Sequence, residues 1–271
     1  MAGEPDWVPP EADTRRANTA RVYDYWLGGS CNFLADQDVA RALTAIEPCV
    51  RAMAQANRAF LGRAVRLLAA AGISRFLDIG SGIPTEGNVH EVAQRALPGA
   101  RVVYVDIDPV AVAYSKHLLA GNTSAAVIDA DLRDPEKILT HQAAGRLIDF
   151  SEPTGLLLVS VLHFIADAED PWQIVATLRD ALVPGSYLVL SHATGEGKPA
   201  IARVLEKVYN RSVSTQVRLR PGADILRFFD GFELVDPGLV CLPQWRPDSP
   251  ADVPSDPGRF WGGLAGVARK H

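Results

Sequence analysis

Cysteine is scarce. The 271 residues hold only Cys31, Cys49 and Cys241, far apart and with no CxxC pair. That excludes a disulfide framework and a cysteine-rich zinc site, and it suits a reducing, cytoplasmic setting. Lysine is sparse beside arginine and the formal charge is -5, so no global basic field exists to hold nucleic acid or an anionic membrane. Long apolar runs are missing too. The longest, residues 155–166, contains Ser160 and His163 and is too short to span a bilayer. The opening MAGEPDWVPPEADTRR has no apolar signal core. There is no GxxxxGK[ST] phosphate loop and no complete GxGxxG dinucleotide fingerprint.

What is present is an ordinary globular balance, 48% apolar and 22% charged, long enough to bury its own core without a metal or disulfide. Residues 1–13 read as a disordered tail. Residues 14–72 read as a helical cap with three helices: one capped by Thr14 and ended by Gly28-Gly29, one over 36–46, and one over 49–71 closed by Gly72. Residues 73–271 then alternate short apolar strands with helices, the mark of crossover units and a parallel sheet. Strands are expected at 75–79, 101–106, 125–129, 156–162 and 187–191. Helices are expected at 84–97, 109–120, 171–182, 199–210 and 221–229. Two last strands at 232–235 and 260–268 have no helix between them. The fold class is therefore α/β, a Rossmann-like doubly wound seven-stranded sheet, mostly parallel, finished by an antiparallel strand.

The strongest local signal is Asp78-Ile79-Gly80-Ser81-Gly82-Ile83-Pro84-Thr85, lying between a strand and a helix. Its glycines let the backbone approach a ligand, and Pro84 suits a first helical position. Asp106 ends the second strand, where a carboxylate can accept both hydroxyls of a ribose. Asp108, directly before Pro109, is the better helix cap, which leaves Asp106 and the adjoining Ile107 for the ligand. Past the third strand, Asp131 can accept from an exocyclic adenine amine while Leu132 stacks on the ring. Ser160, within the fourth strand, completes the set. Ligands of open α/β sheets bind at these strand ends.

An acid at Asp78 would repel a diphosphate but can hold a cationic amino-acid moiety. S-adenosyl-L-methionine has a sulfonium, an ammonium and no phosphate, so it fits better than a nicotinamide dinucleotide. At this point a resemblance is evident. The segments FLDIGSGIPTEGNVHEVAQ, VVYVDIDPVAV, DADLRDP and LLLVSVLHFIAD resemble the nucleotide-site motifs of class I S-adenosylmethionine-dependent methyltransferases. More narrowly, TARVYDYWLGGSCNFLADQ, QANRAFLGRAV, GIPTEGNVHEVA and FDGFELVDPGLVCLPQWRPD resemble an actinobacterial S-adenosyl methyltransferase family over residues 14–269. The resemblance implies the Rossmann-like fold and the cofactor, not the acceptor.

Methyl transfer from a sulfonium needs mainly alignment and exclusion of water. A small-molecule acceptor is expected. If a proton must leave, His163, directly after the fourth strand, is the candidate base, with His192 beside it. The pair lacks a third ligand, so no metal is expected. Tyr23, Tyr25 and Trp26 are candidates for a lid over the methyl site. Thr85 and Asn88, a turn apart, are expected to face it. Asn57 and Arg58 read as polar surface residues, with contact to the cofactor carboxylate as the alternative, and Arg15, Arg16 and Arg21 read as a solvated basic face. No Asn-Pro-Pro-Tyr motif of the amine methylases occurs, the corresponding residues being Ser160-Val161-Leu162-His163. That leaves a second reading, a non-catalytic protein that binds the cofactor as a regulatory ligand.

Overall fold

The computed structural model of the chain describes residues 8–10, 12–84, 87–213, 215–254 and 260–271. The expected positions 1–7 and 11 of the tail, and Thr85, lie outside them.

The sheet begins where the apolar runs begin. Strands β1 (Arg75–Ile79), β2 (Arg101–Asp106), β3 (Ala125–Asp129), β4 (Gly155–Val159) and β5 (Tyr187–Ala193) are parallel; β6 (Phe232–Leu234) and β8 (Gly263–Lys270) follow. The order is β3-β2-β1-β4-β5-β8-β6, with β8 antiparallel to β5 and β6. A two-residue strand, β7 (Val240–Cys241), also pairs with β8 inside what reads in sequence as a loop. The path reverses between β1 and β4, and crevices for ligands open at such switch points beyond the strand ends.

Successive strand residues face opposite sides. Phe76, Val102, Leu157, Val189 and Val267 pack under the long helix α3 (Val50–Ala70) and α4 (Val89–Ala96). Leu77, Val103, Leu156, Leu158, Leu188 and Leu190 pack the other face against α6 (Pro135–Leu139), α7 (Gln142–Leu147) and α8 (Pro171–Asp180). Between β2 and β3 runs α5 (Pro109–Leu118). Thus α3, which reads in sequence as cap, also covers the sheet. Its Phe60 meets fully buried Trp245 edge-on at 5.2 Å between ring centroids.

Above the strand ends sit α1 (Thr19–Leu27) and α2 (Leu34–Ile46), joined by α9 (Pro199–Ser212) from the other end of the chain. Val22, Ala40, Leu43, Tyr209, Val213 and Val217 form their shared core. Gly28 ends α1 in the left-handed conformation, φ 85°, as glycine allows. The expected Thr14 cap is not used: α1 starts later because Asn18 accepts the Ala20 N–H at 2.7 Å. Nor is Arg21 a solvated residue. It is only 4% exposed, between Asp36 at 3.7 Å and Asp108 at 3.8 Å. Helix α4 also starts late. Pro84 is not its first residue; Asn88 and Glu91 form a capping box there, after Gly87 at φ 73°. Among the described residues no helix is long and apolar enough to cross a membrane.

Candidate functional site

The strand ends and the cap enclose one cavity of about 360 Å3. Its floor is the turn after β1. Gly80 and Gly82 take φ of 72° and 66°. A Cβ on Gly80 would lie 2.3 Å from Val161 Cγ2, whereas one on Gly82 would meet nothing within 4 Å. The first glycine is required by packing. The second leaves open space where a ligand can approach the backbone.

Two buried carboxylates border that space. Asp106 accepts from the backbone N–H of Gly82 at 2.7 Å and of Asp108 at 2.9 Å. Burial nevertheless pushes its carboxyl up to about 6, those hydrogen bonds working against the rise. Asp78 is 5% exposed, and no described residue donates a hydrogen bond to it. Burial pushes it up to about 7; Arg58 on α3 works against the shift and Asp106 adds to it. Asp108 does the capping, accepting from Val110 and Ala111 N–H at 2.8 and 2.9 Å. Farther along, Asp131 binds Arg133, Oδ2 to Nη1 at 3.1 Å, and Leu132 is buried behind it. Ile107, 58% exposed, stands at the cavity wall.

Ser160 directly follows β4 with φ 58°, and its N–H donates to Ser191 Oγ at 3.0 Å. Ser191 donates in turn to Asn57 Oδ1 at 2.6 Å. Asn57 donates to the Tyr23 hydroxyl at 2.9 Å, and Tyr23 donates to the Ala54 carbonyl at 3.0 Å. This relay joins β4, β5, α3 and α1 across the cavity. Burial raises the Tyr23 phenol, so it stays protonated.

The expected residues Tyr23, Asp78, Gly80, Ser81, Gly82, Asp106, Ile107, Asp131, Leu132, Ser160, His163 and His192 all line this cavity. Tyr25 does not. It packs in the cap core, while Trp26 and Tyr23 face the cavity. Asn88 is one step away, accepting from Arg58 Nη2 at 3.1 Å. Asn57 and Arg58 line the cavity and are not surface residues as read in sequence; Asn57 is buried. The sequence reading also passes over Ser191, Tyr209, Trp261 and Arg220. The signal for Arg220 was weak: it lies in a run of alternating arginines, 2% of its side chain exposed, where solvent would be the usual fate.

A family model described as S-adenosyl methyltransferase matches residues 5–271. The chain belongs to that family. A Thermobifida fusca protein carrying a provisional methyltransferase designation is similar at 44% identity and TM-score 0.91, covering 98% of this chain and 99% of its own. A DUF574 family protein from Streptomyces avermitilis is similar at 38% identity and TM-score 0.91, covering 96% and 99%. An O-methyltransferase family protein from Burkholderia thailandensis shares the fold at 14% identity and TM-score 0.51, over 81% of this chain and 60% of that one. No curated protein matches. The family's cofactor is S-adenosylmethionine. The site fits it: two buried carboxylates have no ion-paired cation among the described residues, and open space lies over Gly82.

Proposed function

We propose that the protein transfers the methyl group of S-adenosylmethionine to a small-molecule acceptor held between the strand ends and the cap. The observation that carries this reading is the continuity of the cavity, from the glycine turn to an apolar chamber under α1, α2 and α9. Asp106 is placed to take the ribose hydroxyls, Asp131 the exocyclic amine, and Ile107 and Leu132 the faces of the adenine. Gly80–Gly82 give the backbone approach, and Asp78 attracts the cationic amino-acid end while Arg58 faces its carboxylate. When bound, the cofactor supplies an electrophilic methyl whose loss leaves a neutral thioether.

The protein's part is alignment and exclusion of water. Trp26, Leu43, Phe164, Leu205 and Tyr209 wall the chamber. His163 is poorly suited to be the base: burial, helped by Arg220, pushes its imidazole down to about 3. A proton on the acceptor then leaves to solvent or is absent at the start.

Incubation with methyl-labelled S-adenosylmethionine and a panel of phenols, heteroaromatic amines and carboxylic acids tests this reading. Acceptor-dependent formation of S-adenosylhomocysteine, absent in Asp106→Ala, supports it. Cofactor binding with no turnover on any acceptor would favour the regulatory-ligand reading.

A further inference from the structure

We infer that His163 serves the chamber as a fixed hydrogen-bond donor through Nε2–H, and that the acceptor is a largely apolar, uncharged molecule offering it a carbonyl oxygen. The inference rests on the proposed function for the identity of the chamber, not for the state of the histidine.

The backbone N–H and carbonyl of Ala193 fix both imidazoles. His192 Nδ1 lies 2.7 Å from the Ala193 carbonyl oxygen, which can only accept, so Nδ1 carries the hydrogen. Its Nε2 lies 3.0 Å from Arg220 Nη1, which can only donate, so Nε2 is bare. His192 is thereby satisfied at both nitrogens. From the other peptide of the same residue, the Ala193 N–H donates to His163 Nδ1 at 3.3 Å. A neutral imidazole with Nδ1 accepting must carry its hydrogen on Nε2. Burial and the Arg220 charge keep both rings neutral. Arg220 is held in turn by the Leu162 and Ile165 carbonyls at 2.9 and 2.7 Å and by Asp167 at 2.7 Å, with Trp172 and Phe228 over its guanidinium. The frame leaves the rings no alternative tautomer without breaking a bond.

His163 lines the cavity, and its Nε2 has no partner among the described residues. Four polar residues of the cavity, Ser160, Ser191, Asn57 and Tyr23, use one another. A donor on the cavity wall selects a molecule with a lone pair at that place, because a buried unmatched N–H is costly. The charge of that molecule is constrained too. Glu206 also lines the cavity, and of the two lining arginines Arg133 is bound to Asp131 and Glu169 while Arg58 is given to the cofactor carboxylate, so among the described residues an anion finds no free cation there.

Two measurements test this. Long-range 1H–15N spectra of the 15N-histidine-labelled protein, compared with His163→Gln for assignment, report the tautomer directly. We expect His163 as neutral Nε2–H with no titration between about pH 5 and 8; an Nδ1–H form, or a midpoint near the free imidazole value, overturns the donor assignment. With S-adenosylhomocysteine saturating, 1-indanone and indane are then titrated as a matched planar pair. Indanone should bind about fivefold tighter, the worth of one neutral hydrogen bond. His163→Phe should erase that preference and His163→Gln, which keeps an N–H, should retain it. Equal affinities, binding of neither compound, or a preference that survives His163→Phe overturns the acceptor class. Failure of S-adenosylhomocysteine itself to bind would strike the proposed function instead, leaving the tautomer result to stand on its own.

Discussion

Gly80 turns its bare Cα to Val161: an added Cβ would sit 2.3 Å from Val161 Cγ2, at a φ of 72°. The turn that floors the cavity is thus packed against Val161, two residues past the end of β4. Gly80→Ala should lose about 2–4 kcal/mol from overpacking and left-handed backbone together. Val161→Ala in the same chain should recover part of it. Urea denaturation of the two variants checks this; an unperturbed Gly80→Ala midpoint would contradict it.

Asp78 should make both stability and cofactor affinity depend on pH, in opposite senses. Its folded carboxyl is pushed up to about 7 from an ordinary 3.8, so the folded state holds the proton more tightly. Stability of the ligand-free protein therefore falls as pH rises from about 4 to about 7. Asp78→Asn should raise the Tm at pH 8 and change it little at pH 4. A cationic ligand prefers the ionised carboxylate, so S-adenosylmethionine affinity should drop about tenfold from pH 8 to pH 6. Calorimetry at the two pH values reads this directly, and the drop should be largely gone in Asp78→Asn.

The cap is anchored by buried charge. Arg21 of α1 lies within 4 Å of Asp36 of α2 and of Asp108, the cap of α5. Arg21→Met would leave two buried carboxylates without their cation, a loss of about 3–5 kcal/mol near neutral pH. Burial already raises both acids, and removing Arg21 raises them further. The loss should therefore shrink as pH falls toward 5 and the carboxyls protonate. Adding Asp36→Asn should restore part of the stability at pH 7. Denaturation across that range is the check.

Ser160 holds a left-handed backbone, φ 58°, that a side chain disfavours. Its N–H bond to Ser191 needs no side chain. Ser160→Gly should then stabilise the ligand-free protein by about 1 kcal/mol. A lower Tm for this variant would show that the Ser160 hydroxyl contributes more than the strain costs.

Much of this architecture was legible in the residue order. Strands β1, β2 and β3 fall at their expected residues because each is a short apolar run closed by turn residues. The capping role of Asp108 was legible because Pro109 marks the helix start. What escaped depended on partners distant in sequence. Arg21 reads as solvated until Asp108 is brought beside it. Asn57 sits on the polar stripe of α3, and its partner Ser191 is 134 residues away. Arg220 reads as one surface arginine among several until β5 places His192 against it. Helix starts moved for local reasons: Asn18 and Asn88 are better caps than Thr14 and a Pro84 start.

The central claim is a cofactor site built on Asp106 and the Gly82 N–H it holds. Calorimetric titration of the wild type and Asp106→Ala with S-adenosylmethionine, S-adenosylhomocysteine and NADH tests it most directly. The account predicts micromolar binding of the first two, about 100-fold weaker or absent in Asp106→Ala, and none of NADH. Binding that is unchanged in the variant, or of NADH alone, would contradict it.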